Sequence, residues 1–247
     1  MSGHSKWAGI KHKKGALDAQ RGKLFSKLNK EIMLAAKTGG KDPDGNARLR
    51  LAIQKAREAN MPGDNIKKAI ARGVGEIEGG TVEEITYECY GPSGVALLVE
   101  GITDNKKRTS SEIRHILSKG GGNMGEAGCV LWMFKKLGVL QIEKPSISED
   151  SLFDIGLSLG CEDIKTEDNE YEVYTDVGIF EKAKEELKNK GANIKYAEIE
   201  MLPSSYIKID KDSAKQVLRL IETLEENEDV QHVWSNMDIP EDLLVEA

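Results

Sequence analysis

The residues best equipped for recognition chemistry crowd the front of the chain. Lys6, Trp7, Lys11, His12, Lys13 and Lys14 come first, and Arg21, Lys23, Lys27 and Lys30 follow. Lysines neutralise phosphates, the term that dominates sequence-independent nucleic-acid binding. Arg21 offers a guanidinium that can fork onto a phosphate, and Trp7 offers a face on which a base can stack. Gly3, Gly9 and Gly15 let backbone amides approach a phosphate closely. The plain alternative is a solvated polar arm beside a lysine-rich helix face. Charge distribution decides between them. Residues 1–75 carry 17 Lys and Arg against 6 Asp and Glu, a net of +11, while residues 76–247 carry 18 against 36, a net of −18; together they give the chain its −7. Such segregation points to a polyanionic partner for the basic end. The whole-chain pI of about 5.3 conceals it.

A secondary basic patch, Lys106, Lys107, Arg108, Arg114, His115 and Lys119, falls on a predicted helix. Arg108, His115 and Lys119 share one side of it at spacings of seven and four. The patch reads equally as a phosphate contact, a solvated face or a docking surface for another domain. Gly120, Gly122 and Gly125 match the letters of a dinucleotide-binding loop, but a helix precedes them and a strand follows, the reverse of what a pyrophosphate site needs. They read as a helix-to-strand connection. Cys89, Cys129 and Cys161 form neither a C-x-x-C metal or redox motif nor a disulfide framework. His4 and His12 sit in the arm, His232 lies in an apolar strand, and the acidic run at 225–229 reads as a solvated helix end. These patterns predict no enzyme, no catalytic residues, no metal and no cofactor.

The elements that must position these residues follow from periodicity. The first twenty residues hold too few apolar groups to offset ordering entropy and predict a mobile arm or loop. From Gly22, Leu24, Phe25, Leu28, Ile32 and Ala35 recur at helical spacing. Further helices are expected over 46–60 and from Pro62 to about Gly73, giving a small helical domain with a basic exterior. Strands at 82–90 and 95–103 flank a Gly-Pro-Ser-Gly turn. A helix over 105–119, a glycine loop and an apolar strand at 129–134 come next. Residues 139–201 then read strand, helix, strand, strand, helix, strand, the split βαβ order. A last strand, helix and strand cover 206–238 and cannot bury both sheet faces alone. The expected fold is therefore α+β and multidomain: a three-helix N-terminal domain (1–78), a discontinuous ferredoxin-like domain (79–134 with 204–247), and a second ferredoxin-like domain inserted in it (135–203). No apolar run approaches the roughly 20 residues needed to span a bilayer, and no apolar stretch follows the basic N-terminus as in a secretory signal. The expected location is cytoplasmic, with no membrane and no small-molecule substrate as partner. Oligomeric state leaves no signature in these patterns.

Longer motifs resemble a known family. Gly3-His4-Ser5-Lys6-Trp7, Ile10-Lys11-His12-Lys13-Lys14, Arg21-Gly22-Lys23-Leu24-Phe25-Ser26-Lys27-Leu28, Ala47-Arg48-Leu49-Arg50-Leu51-Ala52-Ile53 and Asn60-Met61-Pro62 are similar to the start of the YebC family. Tyr87-Glu88-Cys89-Tyr90-Gly91-Pro92, the segment 103–109, Arg114-His115 and Gly128-Cys129-Val130 extend the resemblance along the chain. Cys89 stands where relatives usually carry glycine, Cys129 replaces a common serine, and Lys106-Lys107 replaces an Arg-Asn pair, keeping charge but losing a planar guanidinium. The resemblance implies a helical domain with two α+β domains, and a regulator of gene expression described either as a DNA-binding transcriptional regulator or as a factor relieving ribosome stalling at proline-rich stretches. An irregular Gly/Lys arm with one Trp suits ribosomal RNA. The short link between the second and third helices imitates a DNA-reading helix-turn-helix but presents no clear base-reading face. The residues favour ribosomal RNA and translation, with duplex DNA and transcription as the alternative.

Overall fold

A computed structural model describes residues 19–239. Three helices come first: α1 (Ala19–Gly39), α2 (Ala47–Glu58) and α3 (Gly63–Gly73). Their apolar stripes close one core around Ile32, Leu49, Ile53, Ala56, Ile66 and Ala69, which continues onto Val82 and Ile102 beyond the helices. Asn46 holds the α1–α2 corner. Its side-chain oxygen accepts the Leu49 amide at 3.0 Å while its amide donates to the carbonyls of Ala35 and Gly40 at 2.8 and 2.9 Å. This is an N-cap that also ties off the preceding helix. Asn60 turns the chain between α2 and α3 at φ 59°, a left-handed conformation that asparagine tolerates. At Gly73 a Cβ would lie 2.3 Å from the Met33 carbonyl oxygen, so glycine permits the close crossing of α3 on α1.

The chain then enters an antiparallel hairpin, β1 (Glu83–Tyr90) and β2 (Ala96–Thr103), followed by α4 (Lys106–Lys119) and β3 (Asn123–Met124). A second unit runs β4 (Phe134–Glu143), α5 (Glu149–Leu159), β5 (Asp163–Thr166), β6 (Glu170–Thr175), α6 (Phe180–Asn189) and β7 (Ile194–Pro203). Its sheet has the order β5-β6-β4-β7 with every neighbour antiparallel, the ferredoxin-like arrangement. The chain finally returns through β8 (Ile207–Lys208), α7 (Lys211–Glu225), β9 (Val230–Ser235) and β10 (Met237–Asp238). β9 pairs with β2, so the first sheet reads β3-β1-β2-β9 and draws on both ends of the α+β region, with β4–β7 inserted between them. The fold is thus α+β with a three-helix start and one ferredoxin-like unit inserted in another.

α4 and α7 bury Ile113, Leu117, Val217, Leu220, Ile221 and Leu224 on one face of the first sheet. The other face carries Ala96, Leu98 and Trp234, which meet Phe134 and Met201 of the inserted unit. Inside that unit, Leu140, Ile142, Val173, Phe180 and Leu187 close a separate core.

Residues 129–134 depart from the expected strand. Residues 129–133 form a loop and a 3-10 turn (Leu131–Met133), and β4 is one continuous strand beginning at Phe134. The cause is a buried carboxylate on β1. Glu88 accepts the amides of Gly128, Val130 and Leu131 at 2.5, 2.5 and 2.7 Å, fixing those donors in a turn. The third strand of the first sheet is instead the two-residue β3, within the glycine loop.

Candidate nucleic-acid interface

Lys6, Trp7, Lys11, His12, Lys13 and Lys14 lie outside the described residues, as does the side chain of Arg21. Lys23, Lys27 and Lys30 form a stripe on α1, set by spacings of four and three. That stripe faces the acidic end of α7. Lys23 lies 3.6 Å from Glu226, and Lys27 donates to the Glu225 carbonyl at 2.7 Å. Ser26 donates to Glu228 at 3.1 Å. Lys30 donates to the Glu228 carbonyl at 3.0 Å and to the Asp229 carboxylate. The exposed Lys23 pair contributes little, because water and salt screen it. Lys30 is different, since its side chain is 16% exposed and that of Asp229 is 3% exposed.

Asp229 is where the helical unit joins the first sheet. Besides Lys30, its carboxylate accepts from Arg108 at 2.8 Å, Thr109 at 2.6 Å and Thr103 at 3.2 Å. Burial acts to raise its pKa, but the hydrogen bonds from Lys30, Thr109 and Arg108 outweigh burial and hold it at about 2. Gly101 makes the site possible, since a Cβ there would sit 2.3 Å from the Asp229 carbonyl oxygen, which accepts the Ile102 amide at 2.7 Å.

Apart from Lys41, paired with Glu76 at 2.6 Å, and Arg50, which donates to the Pro43 carbonyl at 3.1 Å, the other described cations of the first segment divide into two sets. Arg48 is forked onto Glu31 (2.8 and 3.3 Å) and reaches Glu84 at 2.8 Å, Lys37 donates to the Val82 carbonyl at 2.8 Å, and Lys55 pairs with Glu198 at 3.1 Å. These bind the helical unit to both α+β units. Arg57 of α2 and Lys67, Lys68 and Arg72 of α3 are exposed and, among the described residues, engage no acidic group. In the secondary patch, Lys106 pairs with Glu83 at 2.8 Å and Arg108 bridges Asp104 and Asp229, each at 2.8 Å. Lys107, Arg114, His115 and Lys119 remain exposed.

Two features escape a reading of the sequence. The acidic run at 225–229 is a partner of α1, not a solvated helix end. Its signal is an acidic cluster opposite in sign to a lysine stripe, with some 200 residues between them. Trp132 is 72% exposed on the 3-10 turn, its indole N–H donating to the Cys129 carbonyl at 3.1 Å. Its place in an apolar run disguised it as core. His232 stacks on Trp234 with ring centroids 5.1 Å apart, as expected of a packed histidine. The thiol of Cys89 is pushed up to about 12 by burial, then by Cys129 and Glu88, which keeps it protonated and unreactive. No helix of the described residues is long and apolar enough to cross a membrane.

Comparison with known proteins agrees along the chain. The TACO1/YebC N-terminal domain matches residues 5–76, and the TACO1/YebC second and third domain matches residues 82–237. A protein of Syntrophus aciditrophicus named "Probable transcriptional regulatory protein" is 53% identical over 245 residues, covering 99% of this chain and 98% of its own. One of the same name from Natranaerobius thermophilus is 51% identical over 247 residues, covering 99% of each. The crystal structure of a conserved hypothetical protein from Aquifex aeolicus has a TM-score of 0.80 and 45% identity, covering 94% of this chain and 96% of that one.

Proposed function

The chain belongs to the TACO1/YebC family, and from that premise we propose that it is a cytoplasmic, non-enzymatic nucleic-acid-binding regulator acting on RNA in translation, associated with the ribosome and relieving stalling at proline-rich stretches. It works as three domains, 1–78, 79–134 with 204–247, and 135–203, with binding centred on the first. The observation that carries this reading is the charge split, +11 over residues 1–75 against −18 over the remainder. A segment so basic in a protein so acidic is matched to phosphate.

Within that segment the described cations have distinct tasks. Lys23, Lys27 and Lys30 face the acidic run, so the outward phosphate contacts fall to the arm, with Lys6, Lys11, Lys13, Lys14 and Trp7, and to Arg57, Lys67, Lys68 and Arg72. On α3, Lys67, Lys68 and Arg72 are exposed and can neutralise a phosphate backbone of RNA or DNA alike.

A second reading, a DNA-binding transcriptional regulator, is favoured by the name that the Syntrophus aciditrophicus and Natranaerobius thermophilus relatives carry. Gradient sedimentation of a cell extract with and without nuclease separates the two. Co-migration with ribosomes is the expected result, and recovery only with DNA contradicts the translation reading.

A further inference from the structure

Between the first segment and β4, positive charge is gathered on one element. Residues 79–134 contain five Lys and Arg against seven Asp and Glu, and all five cations lie between Lys106 and Lys119, on α4. Two of them have internal tasks, Lys106 on Glu83 and Arg108 on Asp104 and Asp229. The other three, with His115, are exposed and without any hydrogen bond or ion pair among the described residues. Among the described residues no acidic side chain pairs with them.

Helix geometry places them together. Thr109, Ile113 and Leu117 are the buried side of α4. At about 100° per residue, Lys107, Arg108, Ser111, Arg114, His115, Ser118 and Lys119 fill the opposite half-turn. Glu112 stands at the border of that face, accepting from Asn227 at 2.8 Å beside the end of α7 and lying 3.9 Å from Arg108. The result is a face dominated by cations and hydroxyls, with Glu112 at its border, in a stretch whose net charge is otherwise negative. An ordinary solvated helix face mixes both signs in i,i+4 pairs; Arg108 makes such pairs with Asp104 and Glu112 at one edge, whereas Lys107, Arg114 and Lys119 make none among the described residues.

We infer that the outer face of α4 is a second nucleic-acid contact, which takes the phosphodiester backbone. Lys107 and Lys119 act as point charges, Arg114 as a fork, and Ser111 and Ser118 as hydroxyl donors to phosphate oxygens. From Lys107 to Lys119 the helix rises about 18 Å, the length of about five phosphates of one strand along a duplex axis. The N-terminal end of α4, with Asn105 as its cap, adds the positive pole of the helix dipole next to Lys107. The face is also fixed in place relative to the basic segment. Asp229 binds Lys30 of α1 and Arg108 of α4 at once, which ties the two basic elements together. The inference rests on the reading that the first segment binds nucleic acid.

The test uses the full chain with Lys107→Gln, Arg114→Gln and Lys119→Gln together, all exposed positions, titrated with a labelled single-stranded RNA over a range of salt. The expected result is weaker binding and a log–log salt slope shallower by about 2, the loss of three single-strand phosphate contacts, at an unchanged melting temperature. Unchanged affinity and slope, with the unaltered chain binding normally, overturns the α4 contact and leaves the first segment's role standing. Loss of co-sedimentation with ribosomes while RNA binding is intact also overturns it, assigning the face to a protein partner. An unaltered chain that binds no RNA overturns both readings.

Discussion

Asp229 shows how much one carboxylate carries. It is buried, it collects Lys30, Arg108, Thr109 and Thr103, and it joins residues nearly 200 positions apart. Replacing it with alanine strands the half-buried Lys30 ammonium and frees Arg108, at an expected cost of roughly 3 to 5 kcal/mol in urea unfolding. Its pH signature has a definite sign. The pKa is lowered from 3.8 to about 2 on folding, so the stability it confers is complete above about 4 and is lost as the pH falls towards 2. The shift corresponds to roughly 2 kcal/mol. Unfolding of Asp229→Asn measured across that window should be flatter than that of the unaltered chain, and equal slopes would contradict the assignment. None of this is legible from local sequence. The spacing of Lys23, Lys27 and Lys30 defines a stripe but not what it faces, because the partner lies at the other end of the chain.

At the scale of elements, periodicity carried far. The three helices, the β1–β2 hairpin, α4, and the βαββαβ order of the inserted unit all follow from apolar spacing and turn residues, since each makes its own pattern of burial. The segment 129–134 did not. Its apolar run reads as a strand, but the Glu88 carboxylate collects the amides of Gly128, Val130 and Leu131 and imposes a turn that no local preference dictates. β3 escaped for a different reason, being a two-residue strand within a glycine loop. Glu88→Gln keeps the size of the side chain but removes the charge and one acceptor oxygen, leaving buried amides short of partners. The expected loss is about 1 to 3 kcal/mol, with faster hydrogen exchange at Val130 and Leu131. Unchanged exchange at those amides would show that the turn is held by something else.

Across the whole molecule, the opposed charges of the two regions serve twice. Inside, Lys30 on Asp229, Lys55 on Glu198 and Arg48 on Glu84 fasten the helical unit to the α+β units. Outside, Arg57, Lys67, Lys68, Arg72 and the cations on the outer face of α4 are exposed, and these are the charges the proposed phosphate contact uses. The charge split itself was plain in the sequence; which cations face inward needed the fold, because both kinds occupy the same helices at similar spacing. The central claim is that the front of the chain touches phosphate. It is tested most directly by the salt dependence of RNA binding by the full chain and by its Lys11→Gln, Lys13→Gln, Lys14→Gln variant. The account predicts a linear fall of log affinity with log salt and a slope shallower by about 2 in the variant. Identical slopes for the two proteins would contradict it.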